Sequence, residues 1–253
     1  MGRDFLNSPY KSTLLLQRSD KQLTASLCVS RLTLESLKVN TLDFLHIKEQ
    51  TYFTSLQYPK RQHSYLLGRF CAKHAVSNYL QNKSLSSTLI ENGVFNQPII
   101  YHPLPTDVQI SISHTDSIGA ALAFPNAHPM GIDLEMINEA HVITIKSQLT
   151  FFELQKAAQF SENESMVFTL MWTVKEALSK ALKSGFMISF ELFEIEEMKQ
   201  KEKYVECSFK HFKQFRAFSF PLAETICSLV YPIGTDLHFD IEALQIQLTM
   251  QEV

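Results

Sequence analysis

The residues best suited to chemistry in this chain are two carboxylates in a strand-like segment. Met130 to Glu135 reads Met-Gly-Ile-Asp-Leu-Glu, in which apolar and acidic residues alternate. Because successive side chains of a strand point to opposite faces, Ile132 and Leu134 are expected to point inward. Asp133 and Glu135 then share the other face, about 7 Å apart. They repel each other unless water screens them, as at a solvent-facing strand edge, or a hard cation such as Mg²⁺ lies between them.

A long helix downstream offers a third carboxylate. The sequence predicts a helix over 162–184, with Ser161 and Glu164 as a capping box at its start. Glu176 and Lys180 lie one turn apart on this helix, in the order that favours an ion pair. They form either an ordinary surface pair or part of a site, in which Glu176 is the candidate third ligand. The buried stripe expected on this helix is Val167, Met171, Val174, Leu178 and Ala181.

A second predicted helix, over 62–80, carries basic residues. Residues 50–90 contain no Asp or Glu but five Lys or Arg, a local charge of +5. Arg69 and Lys73 stand four residues apart and repel each other weakly, an effect that a docked anion would reverse. Arg61 lies near the positive end of the helix dipole. The stretch is therefore either an ordinary basic face or a phosphate site.

A serine and a histidine end another predicted strand. The segment 108–113 alternates apolar and polar residues and ends in Ser113-His114, shortly before Gly119. A turn of this kind offers hydrogen-bond donors and a titratable ring, which suit a phosphate, although many turn histidines are simply exposed. A serine hydrolase is disfavoured, because the chain contains no Gly-x-Ser-x-Gly elbow.

Composition excludes several classes of protein. The chain is 45% hydrophobic and 19% charged, which is typical of a globular protein, and its net charge of −3 does not suggest a nucleic-acid binder. No apolar run approaches the roughly 18 residues of a membrane span. The four cysteines are scattered, which indicates neither a disulfide framework nor a zinc site. We therefore expect a reduced, cytoplasmic protein.

The charge is unevenly distributed along the chain. In contrast to the basic stretch at 50–90, residues 107–164 carry eight acids against two lysines, a local charge of −6. This contrast describes either two solvated faces or an anion cradle in one half and a cation site in the other.

The chain divides near its middle. Two prolines and an asparagine at 124–129 interrupt strand-like segments and predict a boundary between residues 1–127 and 128–253. Each half contains a short helical segment, a longer helix and then strands. This order predicts an α+β fold, with a suspected duplication of two similar halves, each a long helix packed on a mostly antiparallel sheet.

Together these residues resemble the phosphopantetheinyl transferases of the surfactin-synthetase-activating (Sfp-type) class. The family signature is a hydrophobic-Gly-hydrophobic-Asp strand followed some forty residues later by Trp-Ser/Thr-x-Lys-Glu-Ala-x-x-Lys. The two parts are found here at Met130–Glu135 and at Trp172–Lys180. The Gly-Arg helix at 68–75, Gln97-Pro98 and Ser113-His114 follow the family's order as well. The resemblance covers residues 60–185, about half of the chain.

The resemblance implies a pseudo-twofold monomer that binds coenzyme A between its halves, with basic phosphate contacts in 1–127 and an acidic Mg²⁺ site and catalytic helix in 128–253. It also implies transfer of phosphopantetheine from coenzyme A to a serine hydroxyl of an apo acyl or peptidyl carrier protein, with release of adenosine 3′,5′-bisphosphate. No nucleic acid and no membrane are implied as partners.

The resemblance also assigns residues to roles. Asp133, Glu135 and Glu176 would hold Mg²⁺, Glu176 would help to remove the serine proton, and Lys180 would stabilise the pyrophosphate charge. The implied contacts to coenzyme A are Arg61, Arg69, Lys73, Gln97, Pro98, Ser113, His114, Lys175 and Lys180. Gln97 departs from the Lys or Arg that often precedes this proline in the family, and it adds no charge.

Two other functions remain open at this point. One is a coenzyme A-binding or carrier-docking module that has lost catalysis. The other is a Mg²⁺-dependent phosphohydrolase or nuclease, which needs only an acidic cluster and a nearby cation.

Overall fold

The computed structural model describes residues 8–161 and 163–250. The chain forms two compact units, each of which is described by itself. The first contains residues 8–128 and 235–250, and the second contains residues 129–161 and 163–234.

The first unit contains an antiparallel sheet covered by a long helix. Strands β1, β2, β6 and β5 lie side by side in that order, and β3 and β4 form a separate hairpin. Helix α4 packs on β2, β5 and β6. The elements are β1 (Tyr10–Gln17), β2 (Gln22–Ser30), α1 (Leu34–Val39), α2 (Thr41–Phe44), α3 (Ile47–Ser55), α4 (Pro59–Leu80), β3 (Leu89–Asn92), β4 (Pro98–Tyr101), β5 (Val108–His114) and β6 (Gly119–Pro125).

The second unit has the same kind of layers. Its five-stranded sheet has the order β7-β11-β10-β9-β8 and is antiparallel throughout. Helix α7 packs on β7, β11 and β10, and the apolar stripe predicted for this helix is buried. The elements are β7 (Gly131–Met136), α5 (Val142–Lys146), α6 (Phe151–Phe160), α7 (Glu164–Leu182), β8 (Ile195–Gln200), β9 (Val205–Phe209), β10 (Phe215–Leu222) and β11 (Thr225–Pro232).

The last elements of the chain return to the first unit. Strand β12 (Asp236–His238) pairs with β1, and helix α8 (Ile241–Met250) follows it. The predicted division assigned these residues to the second half. The structure places them in the first, because Leu237 pairs with Leu16 at the edge of the first sheet.

The two units repeat one order of elements. The series β2-α3-α4-β3-β4-β5-β6 corresponds to β7-α6-α7-β8-β9-β10-β11. In both, the strand that precedes the helices lies beside the last strand of the series. The long helices end at residues in the left-handed conformation, Gln81 and Lys183, which lie eight residues after Lys73 and Lys175. The predicted α+β class is confirmed, and the repeated order supports the suspected duplication.

The ends of the helices differ from the predictions. Helix α4 begins three residues early, at Pro59, because proline is favoured in a first turn where its missing N–H costs nothing. The predicted capping box at Ser161 is wrong. Ser161 follows the end of α6, and the side chain of Asn163 caps α7 by accepting a hydrogen bond from the Met166 amide at 3.0 Å. The predicted first residue, Glu162, lies outside the described residues.

Strand β7 and helix α7 approach each other closely at Gly131. A Cβ atom at this position would overlap the carbonyl oxygen of Ala177 and would lie 2.8 Å from the amide nitrogen of Ala181. These contacts involve backbone, which cannot rotate away as a side chain can. The signature glycine is therefore required by the packing of α7 against β7.

None of the helices in the described residues combines the length and the hydropathy that crossing a membrane requires.

We predict that Gly131→Ala lowers the free energy of unfolding by about 1–3 kcal/mol, because the added methyl group forces strand and helix apart. Gly68→Ala is the matched control. Its Cβ would lie 3.5 Å from Ile112, an ordinary contact, so helix propensity should leave stability unchanged or raise it by up to about 1 kcal/mol. Urea denaturation of both variants measures the difference, and equal stabilities would contradict the packing argument.

Candidate active site

The face of β7 that carries the carboxylates lies against helix α7. Gly131 contacts α7, and alternation along the strand places Asp133 and Glu135 on the same face. Asp133 is only 2% exposed. Although β7 is the edge strand of its sheet, the face that carries Asp133 is therefore not exposed to solvent. Ile132 and Leu134 lie on the opposite face and are buried as predicted.

Two side chains of α7 donate hydrogen bonds to these carboxylates. Lys180 Nζ lies 2.6 Å from Asp133 Oδ1. Trp172 Nε1 donates to Glu135 Oε1 at 3.3 Å, and the indole stacks on Phe190 with their ring centres 4.8 Å apart. Both donors belong to the second part of the sequence signature, so the two parts of the signature meet in the structure.

Burial makes two carboxylates of this cluster, Glu135 and Glu176, resist ionisation. Loss of solvent, followed by the negative charge of Asp133, raises the pKa of Glu135 to about 7. The same two causes, in the same order, raise the pKa of Glu176 to about 7. Glu176 on α7 therefore belongs electrostatically with Asp133 and Glu135, although forty residues separate it from the strand in sequence.

The chemistry of this donor set fits Mg²⁺. Oxygen ligands such as carboxylates are those that Mg²⁺ prefers. A divalent cation would offset the charge repulsion that, after burial, raises the pKa values of Glu135 and Glu176. Within residues 8–161 and 163–250, however, no group of three or more His, Cys, Asp or Glu side chains is arranged to hold a metal ion. The Mg²⁺ site stays a prediction.

Lys175, which the resemblance assigned to coenzyme A, is buried in an ion pair. Its Nζ lies 2.7 Å from Glu153 Oε2, and both side chains are 0% exposed. Burial lowers the pKa of Lys175, whereas Glu153 opposes that shift. A lysine without exposed surface is not available to a phosphate, so this assignment is contradicted by the structure.

Lys73 is the corresponding case in the first unit. Its Nζ lies 2.7 Å from Glu49 Oε2 and also donates to the carbonyl oxygen of Thr88. The Lys73 side chain is 0% exposed, which contradicts its predicted contact with a phosphate. Arg69 Nε lies 3.4 Å from the other oxygen of Glu49, and its guanidinium lies over the ring of Tyr65. The basic character of this helix is thus partly neutralised by one buried acid.

Two other predicted motifs of the first unit meet beside α4. A Cβ at Gly68 would lie 3.6 Å from His114 Cδ2, so the Gly-Arg helix contacts the Ser-His turn. Lys60 Nζ also bonds Asp116 in this turn at 2.8 Å, which ties the start of α4 to it. His114 is exposed at the end of β5, whereas Ser113 is 7% exposed.

The remaining predicted contacts lie on exposed or half-buried surface of the first unit. Arg61 is exposed in the first turn of α4. Gln97 accepts a hydrogen bond from the Phe95 amide at 2.9 Å, within the β3–β4 turn, and Pro98 begins β4. These residues remain accessible, and their contact with coenzyme A stays a prediction.

Sequence reasoning missed Glu49 and Glu153. Each is the third residue of a short helix and completes a capping box with the residue that precedes the helix. Glu49 of α3 pairs in this way with His46, and Glu153 of α6 with Thr150. Thr150-x-x-Glu153 was a visible signal of a helix start. Its further role, to pair with a lysine 22 residues later, was not visible in the sequence.

A family model matches the part of the chain that contains the carboxylates. Residues 129–230 match the model of the 4′-phosphopantetheinyl transferase superfamily. The 4′-phosphopantetheinyl transferase gsp of Aneurinibacillus migulanus is 38% identical over 97 residues, which are 36% of this chain and 38% of that protein. The chain thus matches well under half the length of this curated relative. The matched domain agrees with the resemblance found in the sequence.

Two solved structures are similar over part of the chain. One is a holo-(acyl-carrier-protein) synthase from Bacillus anthracis str. Ames in complex with CoA (3′,5′-ADP), with 19% identity, a TM-score of 0.35, and coverage of 44% of this chain and 96% of that one. The other is a holo-ACP-synthase from Plasmodium yoelii, with 19% identity, a TM-score of 0.34, and coverage of 39% and 91%.

The raised pKa values predict how stability depends on pH without a metal. Glu135 and Glu176 have a folded-state pKa of about 7 against an ordinary value of 4.5. Between these values the folded state binds more protons than the unfolded state, so this contribution to stability falls as pH rises through about 7. Melting curves in a chelator should show that Glu135→Gln/Glu176→Gln loses less stability than the wild type from about pH 5 to about pH 8.

Glu164→Gln is the control for this measurement, since Glu164 lies on the same helix with a side chain that is 64% exposed. It should keep the pH dependence of the wild type. Equal pH dependence in the double variant and the wild type would contradict the raised pKa values.

Proposed function

We propose that the chain is a 4′-phosphopantetheinyl transferase of the Sfp-type class. It transfers phosphopantetheine from coenzyme A to a serine hydroxyl of an apo acyl or peptidyl carrier protein. The single observation that carries this proposal is that the superfamily domain at 129–230 contains the desolvated carboxylates Asp133, Glu135 and Glu176 together with Lys180.

Glu176 is suited to accept the proton of the serine hydroxyl. A general base works best when its pKa lies near the operating pH, and that of Glu176 is raised to about 7. The serine oxygen then attacks the phosphorus on the pantetheine side of the pyrophosphate. The bond from this phosphorus to the bridging oxygen breaks, and adenosine 3′,5′-bisphosphate leaves with that oxygen.

Lys180 is suited to stabilise the charge on the pyrophosphate. Asp133 holds its ammonium group at 2.6 Å, which fixes the cation without a large reorganisation during the reaction. Asp133, Glu135 and Glu176 would hold Mg²⁺, which supplies further positive charge when it is bound.

Contacts to coenzyme A are proposed for residues of the first unit that remain accessible. Arg61 and His114 are exposed, and the packing of Gly68 beside His114 supports a shared surface on α4 and the turn after β5. Arg69, Gln97 and Pro98 are half-buried and complete the accessible set. Ser113 is only 7% exposed, and its contact with coenzyme A stays a prediction. Lys73 and Lys175 are left out because they are buried. A monomeric state and a cytoplasmic location also stay predictions.

Incubation with coenzyme A, Mg²⁺ and an apo carrier protein tests the function. We predict that the mass of the carrier rises by that of one phosphopantetheine group. Glu176→Gln and Asp133→Ala should reduce the rate at least about 100-fold, since each removes charge from the site of transfer. Mass spectrometry of the carrier measures the rate, and thermal melts verify that the variants fold.

Glu164→Gln, an exposed substitution on the same helix, is the matched control and should keep the rate of the wild type. An unchanged carrier mass across a panel of acyl and peptidyl carriers would contradict the proposal. Tight coenzyme A binding without transfer would indicate a module that has lost catalysis. Cleavage of simple phosphoesters without a carrier would indicate a phosphohydrolase.

A further inference from the structure

The buried ion pair between Glu153 and Lys175 connects several elements of the second unit. Glu153 Oε2 accepts from Lys175 Nζ at 2.7 Å and from the Thr150 amide at 2.9 Å. Glu153 Oε1 accepts from the amide of Ile195, the first residue of β8, at 2.9 Å. One carboxylate therefore joins the start of α6, the middle of α7 and the start of β8.

This pair is poorly explained as a source of stability alone. Moving two charges out of water costs several kcal/mol per ion, and a pair of well-packed apolar residues is often as stable or more stable. What the pair supplies is geometry, because a buried, fully bonded carboxylate holds its partners in one arrangement.

The position of Lys175 on α7 links the buried ion pair to the direction of Glu176 and Lys180. Lys175 directly precedes Glu176, so the two side chains project about 100° apart around the axis of α7. A rotation of the helix by about 20° would move a side-chain tip by roughly 2 Å. A contact that fixes the direction of Lys175 thus fixes where Glu176 and Lys180 point.

We propose that Glu153 and Lys175 are positioning residues for phosphopantetheine transfer, which set the rotation of α7 so that Glu176 and Lys180 face the carboxylates of β7. This inference rests on the proposed function. The distance between α7 and β7 is set separately, by the contact at Gly131. This distance and the rotation of α7 about its axis together determine where the side chains of Glu176 and Lys180 lie.

The first unit contains a corresponding buried Glu–Lys pair, Glu49–Lys73, but its long helix carries no counterpart of Glu176. Glu49 bonds Lys73 at 2.7 Å and accepts from the amide of Ile90 in β3 at 3.0 Å, as Glu153 does with Lys175 and with Ile195. The residue after Lys73 is His74, where the second unit has Glu176.

Each long helix also bonds its sheet through the residue five positions after the buried lysine. Asn78, five residues after Lys73, bonds Ser26 on β2 at 2.8 Å. Lys180, five residues after Lys175, bonds Asp133 on β7. The first unit therefore supplies a matched control. Its buried pair, Glu49–Lys73, holds a helix that has no counterpart of Glu176.

The experiment compares Glu153→Gln with Glu49→Gln, since each leaves a buried lysine without its carboxylate. We expect Glu153→Gln to lower kcat about 10- to 100-fold, as for a small misplacement of catalytic groups, while KM for coenzyme A changes less than about 3-fold. Glu49→Gln should keep kcat within about 3-fold of the wild type. Any change that it makes should lie in KM, because Glu49 contacts Arg69.

A readout independent of activity is the fluorescence of Trp172, the single tryptophan of the chain. It lies on α7 three residues before Lys175 and bonds Glu135. Glu153→Gln should shift its emission, and Glu49→Gln should not. If the wild type transfers nothing, the proposed function fails, and this comparison still decides whether Glu153 positions α7.

The double variant Glu153→Gln/Lys175→Met separates position from stability. It removes the unpaired buried charge, so its melting temperature should recover toward that of the wild type. We expect kcat to stay low, because the contacts that orient α7 are still missing. A kcat that recovers together with the melting temperature would overturn the inference, as would a normal kcat or unchanged Trp172 emission in Glu153→Gln.

Discussion

The contact between β7 and α7 at Gly131 is the constraint on which the site depends. Strand and helix can approach this closely only where the strand lacks a Cβ atom, because the helix presents its backbone at Ala177 and Ala181. This approach buries Asp133 and brings Glu135 and Glu176 into one poorly solvated cluster. The raised pKa values of the two glutamates are a direct result of that burial.

The two units share a similar fold, but only the second carries the acidic cluster on its long helix and first strand. Both contain a long helix on an antiparallel sheet, and both hold that helix with a buried Glu–Lys pair, Glu49–Lys73 in one and Glu153–Lys175 in the other. Only the second pair precedes an acidic residue on the helix. The same packing solution therefore serves two units, and the few residues that differ decide which of them carries the acidic site.

Much of the acidic site could be predicted from the sequence, because its pattern is local. Alternation placed Asp133 and Glu135 on one face of a strand, and helical spacing placed Glu176 and Lys180 on one helix. The partner of Lys180 could not be predicted in this way. The lysine bonds Asp133 across the packed layers, and not merely a neighbour one turn away.

The buried lysines were misassigned for a physical reason. Charge along a sequence gives no information on burial, and Glu49, which neutralises Lys73, lies one residue outside the acid-free stretch at 50–90. Likewise, residues 235–250 belong to the first unit through strand pairing at a sheet edge, which involves residues more than two hundred positions apart. Neither long-range contact leaves a local pattern.

Glu135 and Glu176 share one desolvated acidic cluster, which we propose as the binding site of a divalent cation. Carbon-13 NMR of labelled glutamate carboxyl groups, followed as a function of pH, tests this claim most directly. In a chelator, the carboxyls of Glu135 and Glu176 should titrate near pH 7, and saturating Mg²⁺ should move both to lower pH. Titration of both near the ordinary value of 4.5, with no effect of Mg²⁺, would contradict it.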